Sequence, residues 1–289
     1  MLQILDKIIS QHDIAPDSAV YFVDDGSSDR TWELISSLAK SAPTRFHGIK
    51  LSRNCGHQNA LLAGLLATPG DALISIDADL QDDPFAIVAM VGHFLSGCDI
   101  VFGVRSAREA DTMFKRHTAH AFYAIMRWCG VKTIPDHADY RLMSRRALDA
   151  LKKYNEVNIF LRAMVPLLGF RTAQVEYVRA ARFAGVSKYP LGKMIGLAIN
   201  GITSFTMRPL RIITAVGMVM ALVALGIGSW ALAVGLFSDR AVPGWTSTIV
   251  PITLIGGLQL LALGVIGEYV GKIYLEVKHR PLFEIEETI

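Results

Sequence analysis

Two stretches carry no charged side chain at all: 26 residues from Ile212 to Phe237 and 27 from Ala241 to Gly267. A helix needs about 20 apolar residues to cross a hydrocarbon core. Core helices of globular proteins rarely run that far without a charge on their outer face. The pattern therefore predicts two transmembrane helices joined by the short turn-like segment SDRAVPG, with charged α/β-like sequence confined to residues 1–207. Arg208 and Arg211 precede the first stretch, and Lys272, Lys278 and Arg280 follow the second, whereas the connection holds one cation, Arg240. By the bias of Lys and Arg toward the cytoplasmic side, both ends and the N-terminal domain are expected in the cytoplasm. The start, MLQILDKIISQHD, is amphipathic and charged and is not a secretory signal. Three cysteines, Cys55, Cys98 and Cys129, have no metal-like spacing and are expected as reduced thiols.

Within residues 1–207, short apolar runs alternate with helical periods of about 10–15 residues, which predicts βαβ units and a parallel sheet. AVYFVDDGSSDRT reads as a strand ending in two aspartates and a turn, and DALISIDADLQDDP as a strand, an acidic loop and a helix start at Pro84. Ligands of open α/β sheets bind at the carboxyl ends of the strands, where both acidic clusters fall. Asp77 and Asp79, two apart, share a face if the extended geometry continues, and Gln81 can add an oxygen. Carboxylate and amide oxygens suit Mg²⁺ or Mn²⁺, and a divalent cation bridging to a diphosphate relieves the repulsion within such a cluster. Asp82 and Asp83 fit helix caps equally well. Asp24 and Asp25 can accept from a base N–H or a ribose hydroxyl, while Gly26, Ser27, Ser28 and Asp29 fit turn chemistry without any ligand. His57 either caps its helix or approaches phosphate. Residues 186–211, apolar with Lys188, Lys193, Arg208 and Arg211, suit an amphipathic juxtamembrane helix.

Taken in order, VDDGSSDRT, LSRNCGHQNALLAG, SIDADLQDDP, FGVRSAR, DHADYRLMSRRAL, AGVSKYPLGKM and GEYVGKIYLEVKHRP resemble family-two glycosyltransferases that act on polyprenyl phosphates. The likeness is strongest to bactoprenol (undecaprenyl phosphate) glucosyltransferases of O-antigen, that is lipopolysaccharide, modification. Dolichol-phosphate mannosyltransferases and aminoarabinose transferases are also similar. The resemblance implies a GT-A-like α/β domain with a mostly parallel sheet that binds a nucleotide-diphospho-sugar, followed by the two-helix transmembrane hairpin. The expected organisation is 1–185 catalytic, 186–211 juxtamembrane, 212–271 transmembrane and 272–289 a cytoplasmic tail, in a bacterial inner membrane.

It further implies inverting transfer of a hexose, glucose from UDP-glucose first, to undecaprenyl phosphate, with Mg²⁺ or Mn²⁺ as cofactor. Asp77, Asp79 and Gln81 would hold the metal. Asp24, Asp25, Arg53, Asn54, Asp77 and Arg105 would hold the nucleotide, Arg105 offering its guanidinium fork to phosphate. Asp139 and Arg141 match the acceptor-side motif, with Asp136 competing for the catalytic assignment. Lys188, Arg116 and Arg208 would hold the lipid phosphate. A polyprenyl phosphate is already ionised at neutral pH, so Asp139 is expected to orient a partner as readily as to abstract a proton. Expected partners are the nucleotide sugar, the polyprenyl phosphate and the bilayer, with no nucleic acid. Gly256, Gly257 and Gly264 permit the close helix contact of a homo-oligomer. Family members open with another strand ending in a Pro-x-Tyr-Asn-Glu-like segment, whereas MLQILDKII resembles the helix after it. The first strand is thus expected to be missing, and with it part of the base-binding wall. Mannose, aminoarabinose or N-acetylhexosamine donors, or a truncated non-catalytic membrane protein that binds a nucleotide sugar, are the alternatives.

Overall fold

The computed structural model describes residues 2–11, 14–79, 81–105, 137–154, 156–157, 159–178, 208–237 and 245–289. They fall in two compact units, one of residues 1–191 with 279–289 and one of residues 192–278.

In the first unit, β1 (Val20–Asp24) and β2 (Phe46–Leu51) pair in parallel, and β7 (Ile285–Thr288) adds antiparallel to β2. A second sheet has the order β3-β5-β4-β6, from β3 (Ala72–Ser75), β4 (Ile100–Arg105), β5 (His137–Ser144) and β6 (Thr172–Tyr177). Only β4–β6 is parallel there; β5 runs against both β3 and β4. The expected mostly parallel sheet is therefore corrected among the described residues to two sheets with two parallel and three antiparallel pairings. β5 and β7 supply every antiparallel pairing among the described residues, and sequence periodicity does not encode strand direction.

Helices α1 (Leu2–Ser10), α2 (Thr31–Ser41), α3 (His57–Ala67), α4 (Ala86–Leu95), α5 (Arg145–Leu151) and α6 (Leu161–Leu167) flank these sheets. The apolar stripe of α1 ends in Ile4 and Ile8, which join Ile87, Met90 and Val91 of α4 and Val101, Tyr140 and Leu142 of the second sheet in one core. α3 lies against β1 so closely that a Cβ on Gly64 would meet Val23 Cγ2 at 2.7 Å. Gly26, just past β1, has φ +66°, and a Cβ there would come within 2.5 Å of the Arg53 carbonyl carbon. Gly26→Ala therefore combines left-handed backbone strain with a backbone clash. A loss of about 2 kcal/mol or more is expected in urea unfolding.

The second unit contains α7 (Arg208–Phe237) and α8 (Trp245–Val277), of 30 and 33 residues. Among the described residues no helix is long and apolar enough to cross a membrane. The expected transmembrane hairpin over 212–271, and the multi-pass inner-membrane placement with a cytoplasmic catalytic domain built on it, are thereby overturned. Length is not what fails. A span needs a continuous apolar surface over about 20 residues, and the described part of these helices does not supply one.

Candidate active site

The antiparallel register of β3 and β5 pairs Ser75 with Arg141. Continued two residues, it sets Asp77, leaving β3, level with Asp139 on β5. The Ser75 hydroxyl locks the two strands here by donating to the Asp139 carbonyl at 2.5 Å. Two carboxylates from motifs 62 positions apart in the sequence thus come together, and His57 from the start of α3 stands between them. Its Nε2 lies 3.2 Å from Asp139 Oδ2 and 3.8 Å from Asp77 Oδ1.

Asp139 is 2% exposed and accepts from four side chains. Besides His57, these are Gln58 Nε2 at 3.3 Å, Arg162 Nη2 at 3.0 Å and Arg141 Nη2. Burial by itself raises a carboxyl pKa, but the His57 hydrogen bond and the Arg162 and Arg141 guanidiniums outweigh it and hold Asp139 well below the ordinary carboxylate value. Arg141 is completely buried, and burial pushes its pKa down to about 10 against the pull of Asp139, so it stays charged at neutral pH. Its Nη1 also donates to the Leu161 carbonyl at 3.3 Å, and the Leu161 amide donates back to Gln58 Oε1 at 3.1 Å. α3, β5 and α6 are thereby tied together around one carboxylate. The hydrogen bond to Asp139 raises the His57 pKa, partly opposed by burial. Burial likewise raises Asp77, against the His57 interaction.

Asp24 and Asp25 close β1, beside the Arg53–Asn54 loop that follows β2. Asp25 accepts the amides of Cys55 at 2.7 Å and Gly56 at 2.9 Å, so its carboxylate shapes the Arg53–Asn54 loop that Gly26 allows to approach. Asp24 is 2% exposed; Oδ1 accepts from the Ser27 amide, and Oδ2 has no partner. In the acidic loop Asp79 is exposed and accepts the Gln81 amide at 3.1 Å, whereas Gln81 is 4% exposed with Oε1 unpartnered. Among the described residues no three His, Cys, Asp or Glu side chains cluster to hold a metal, so a cation here would depend on the Gln81 amide oxygen as well. The donor chemistry fits that use: hard oxygens, one of them buried and lacking a hydrogen-bond donor.

Asp83 behaves as a cap, accepting the Phe85 amide at 2.9 Å. Asp82 does not. It is buried, accepts the Tyr177 hydroxyl at 2.6 Å, and lies 3.6 Å from Arg105, whose Nε reaches the same hydroxyl at 3.4 Å. Tyr140 donates to the Asp83 carbonyl at 3.0 Å and meets Tyr177 edge-on at 5.3 Å. Two tyrosines, from β5 and β6 on either side of β4, therefore pin the end of the acidic loop. Tyr177→Phe strands one more oxygen of a buried carboxylate, and a loss of about 1–3 kcal/mol is expected in chemical denaturation.

Gln58, Arg162 and Tyr177 escape sequence reading. The sole signal for Arg162 is one cation within the apolar run IFLRAMVPLL. Asp136, Arg116 and Lys188 lie outside the described residues. Arg208 opens α7, in the other unit from the cleft.

Residues 1–152 match the model of glycosyl transferase family 2. An uncharacterized glycosyltransferase of Bacillus subtilis (strain 168), YkoT, is 47% identical over 99% of this chain and 85% of its own length. The chain belongs to glycosyl transferase family 2. A second B. subtilis glycosyltransferase, YkcC, is 42% identical over 92% of this chain and 83% of its own. The SfII prophage-derived bactoprenol glucosyl transferase of Shigella flexneri is 40% identical over 93% of this chain and 87% of its own. Among solved structures, glucosyl-3-phosphoglycerate synthase from Mycobacterium tuberculosis covers 63% of this chain and 66% of its own at 21% identity and a TM-score of 0.39, a likeness too low to bear on the site. The protein is an enzyme, a nucleotide-sugar-dependent glycosyltransferase related to the bactoprenol glucosyl transferases.

Proposed function

We propose that this glycosyltransferase moves glucose from UDP-glucose to undecaprenyl phosphate with inversion at the anomeric carbon. The observation that carries the reading is the juxtaposition of Asp77, at the donor-side strand end, with Asp139, on the strand of the acceptor-side motif, across His57. The relatives named as bactoprenol glucosyl transferases support the choice of sugar and lipid.

Asp24, through its unpartnered Oδ2, accepts a hydrogen bond from base or ribose, and the Asp25-shaped loop brings Arg53 and Asn54 beside the nucleotide. Asp79, Gln81 and Asp77 would hold Mg²⁺ or Mn²⁺, which supplies positive charge to the diphosphate as it leaves. Arg105, held by Asp82 and Tyr177, contributes a guanidinium to the same phosphates. Asp139 is fully ionised and already bonded to four donors, so it is a poor proton acceptor. None is required: the phosphate of the lipid attacks as an anion, and Asp139 instead fixes His57 and Gln58 beside the reacting carbon. Because the acceptor is a lipid, the encounter takes place at a bilayer surface, with Lys188 and Arg116 proposed to draw in its phosphate.

The test is incubation of the detergent-solubilised protein with undecaprenyl phosphate, Mg²⁺ and each of several radiolabelled nucleotide sugars. Chloroform-extractable label from UDP-glucose above all others is expected. Label from another donor alone would correct the sugar, and none from any donor would refute the reaction.

A further inference from the structure

We infer that the hydrocarbon chain of the acceptor lipid is held in an apolar cavity walled by α3, the end of α5 and the segment that precedes β7. The inference rests on the lipid-acceptor reading above and adds to it a site for the chain, as distinct from the phosphate.

The cavity measures about 480 Å³, within the range of pockets that take small ligands. Its walls include Leu62 and Leu66 on α3, Leu151 at the end of α5, and Leu282 and Phe283 just before β7. All belong to the first unit. Leu62 and Leu151 are buried, whereas Leu66, Leu282 and Phe283 are half-buried and keep apolar surface for an occupant. The floor is fixed, since Phe283 packs on the core of Ile49, Leu51, Ala60 and Ala63.

Three of these walls are continuous in the chain with the active site. α3 begins at His57, and Leu62 follows about 7–8 Å further along the helix. The lining residue Val157 lies shortly before Leu161, whose amide donates to Gln58 Oε1 at 3.1 Å. Glu284, next to Phe283, accepts the Ser52 amide at 3.0 Å, one residue before Arg53. A lipid whose phosphate reacts beside Asp77 and Asp139 must place its hydrocarbon close by, and burial in this cavity removes that hydrocarbon from water. Lys152 and Arg280 line the same cavity against one carboxylate, Glu156, so the local charge favours an anionic amphiphile over a neutral one.

The experiment uses the full-length protein in detergent and undecaprenyl phosphate carrying a diazirine in its first isoprene units, without sugar donor. Peptide mapping after illumination is expected to place the adduct within residues 60–67 or 279–283, displaced by undecaprenyl phosphate but not by an excess of phosphatidylglycerol. Leu66→Trp and Leu282→Trp fill the cavity from different walls. Each should cut the adduct and raise the KM for undecaprenyl phosphate by about tenfold, as if about two methylenes lost their burial, with the KM for UDP-glucose within about twofold of wild type. Urea unfolding reports the fold, and if one variant fails to fold, the other and the wild-type map decide. An adduct elsewhere, no adduct, or one that both substitutions leave unchanged would overturn the inference. Equal displacement by phosphatidylglycerol would also overturn it, giving the cavity to a bilayer lipid. A mapped adduct in a protein that transfers no sugar refutes the reaction and keeps the site; transfer without an adduct there refutes the site and keeps the reaction.

Discussion

Asp139→Asn should destabilise the catalytic unit by about 3–5 kcal/mol, the usual cost of removing one partner from a buried ion pair. The substitution keeps the shape of the side chain but leaves the completely buried Arg141 guanidinium without a counter-charge. Its Nε already has no partner, so no alternative acceptor is at hand. The loss is read from urea unfolding at pH 7. The pH dependence follows from the direction of the Asp139 shift. The folded-state pKa lies below the ordinary 3.8, so the unfolded chain takes up the proton first as pH falls. The difference between wild type and Asp139→Asn should thus grow as pH falls through the histidine range, because Asp139 raises the His57 pKa, level off by about pH 5 and shrink below about pH 4. A difference that went on growing below about pH 4 would mean that the carboxyl is protonated in the native state. Activity should fall with stability, because His57, Gln58 and Arg162 all take their positions from the same group.

Asp79→Ala separates chemistry from folding. Asp79 is exposed and accepts the Gln81 amide in a local turn, and substitutions at exposed positions are mild, so unfolding free energy should change by no more than about 0.5–1 kcal/mol. Transfer should nevertheless fall by about 10²–10³, the range for losing one group that stabilises charge developing in a transition state. The rate measured against Mn²⁺ concentration supplies the control. Loss of a ligand demands more metal, whereas damage to the fold does not. Unchanged turnover and metal dependence would remove Asp79 from the site.

The two acidic strand ends were legible because charge at the end of an apolar run has few structural uses. VYFVDD and LISIDAD both combine β-branched residues with carboxylates that a buried strand could not otherwise accept. The meeting of Asp77 with Asp139 was not legible. It depends on β5 running antiparallel to β3 in one register, and alternation along a strand encodes which face a residue takes but not which strand lies alongside. For the same reason Ile285–Thr288, short and largely polar, gave no sign of pairing with β2. Asp82 misled because a carboxylate near a helix start usually caps it. Its partner, Tyr177, comes from 95 residues away, and a lone tyrosine on an alternating strand reads as core. The two uncharged stretches misled in another way. Absence of charge over 26 residues satisfies the length of a span, but not the continuous apolar surface that the described part of α7 and α8 would have to present.

The central claim is that the nucleophile arrives already ionised, so that the site needs to hold phosphates and has no need of a base. Parallel reactions with radiolabelled UDP-glucose, one supplied with undecaprenyl phosphate and the other with unphosphorylated undecaprenol, put it to trial most directly. Label should enter the phosphorylated lipid alone, at a rate flat with pH once the phosphate is ionised. Comparable labelling of the free alcohol would contradict it, since that acceptor cannot react without a base to take its proton.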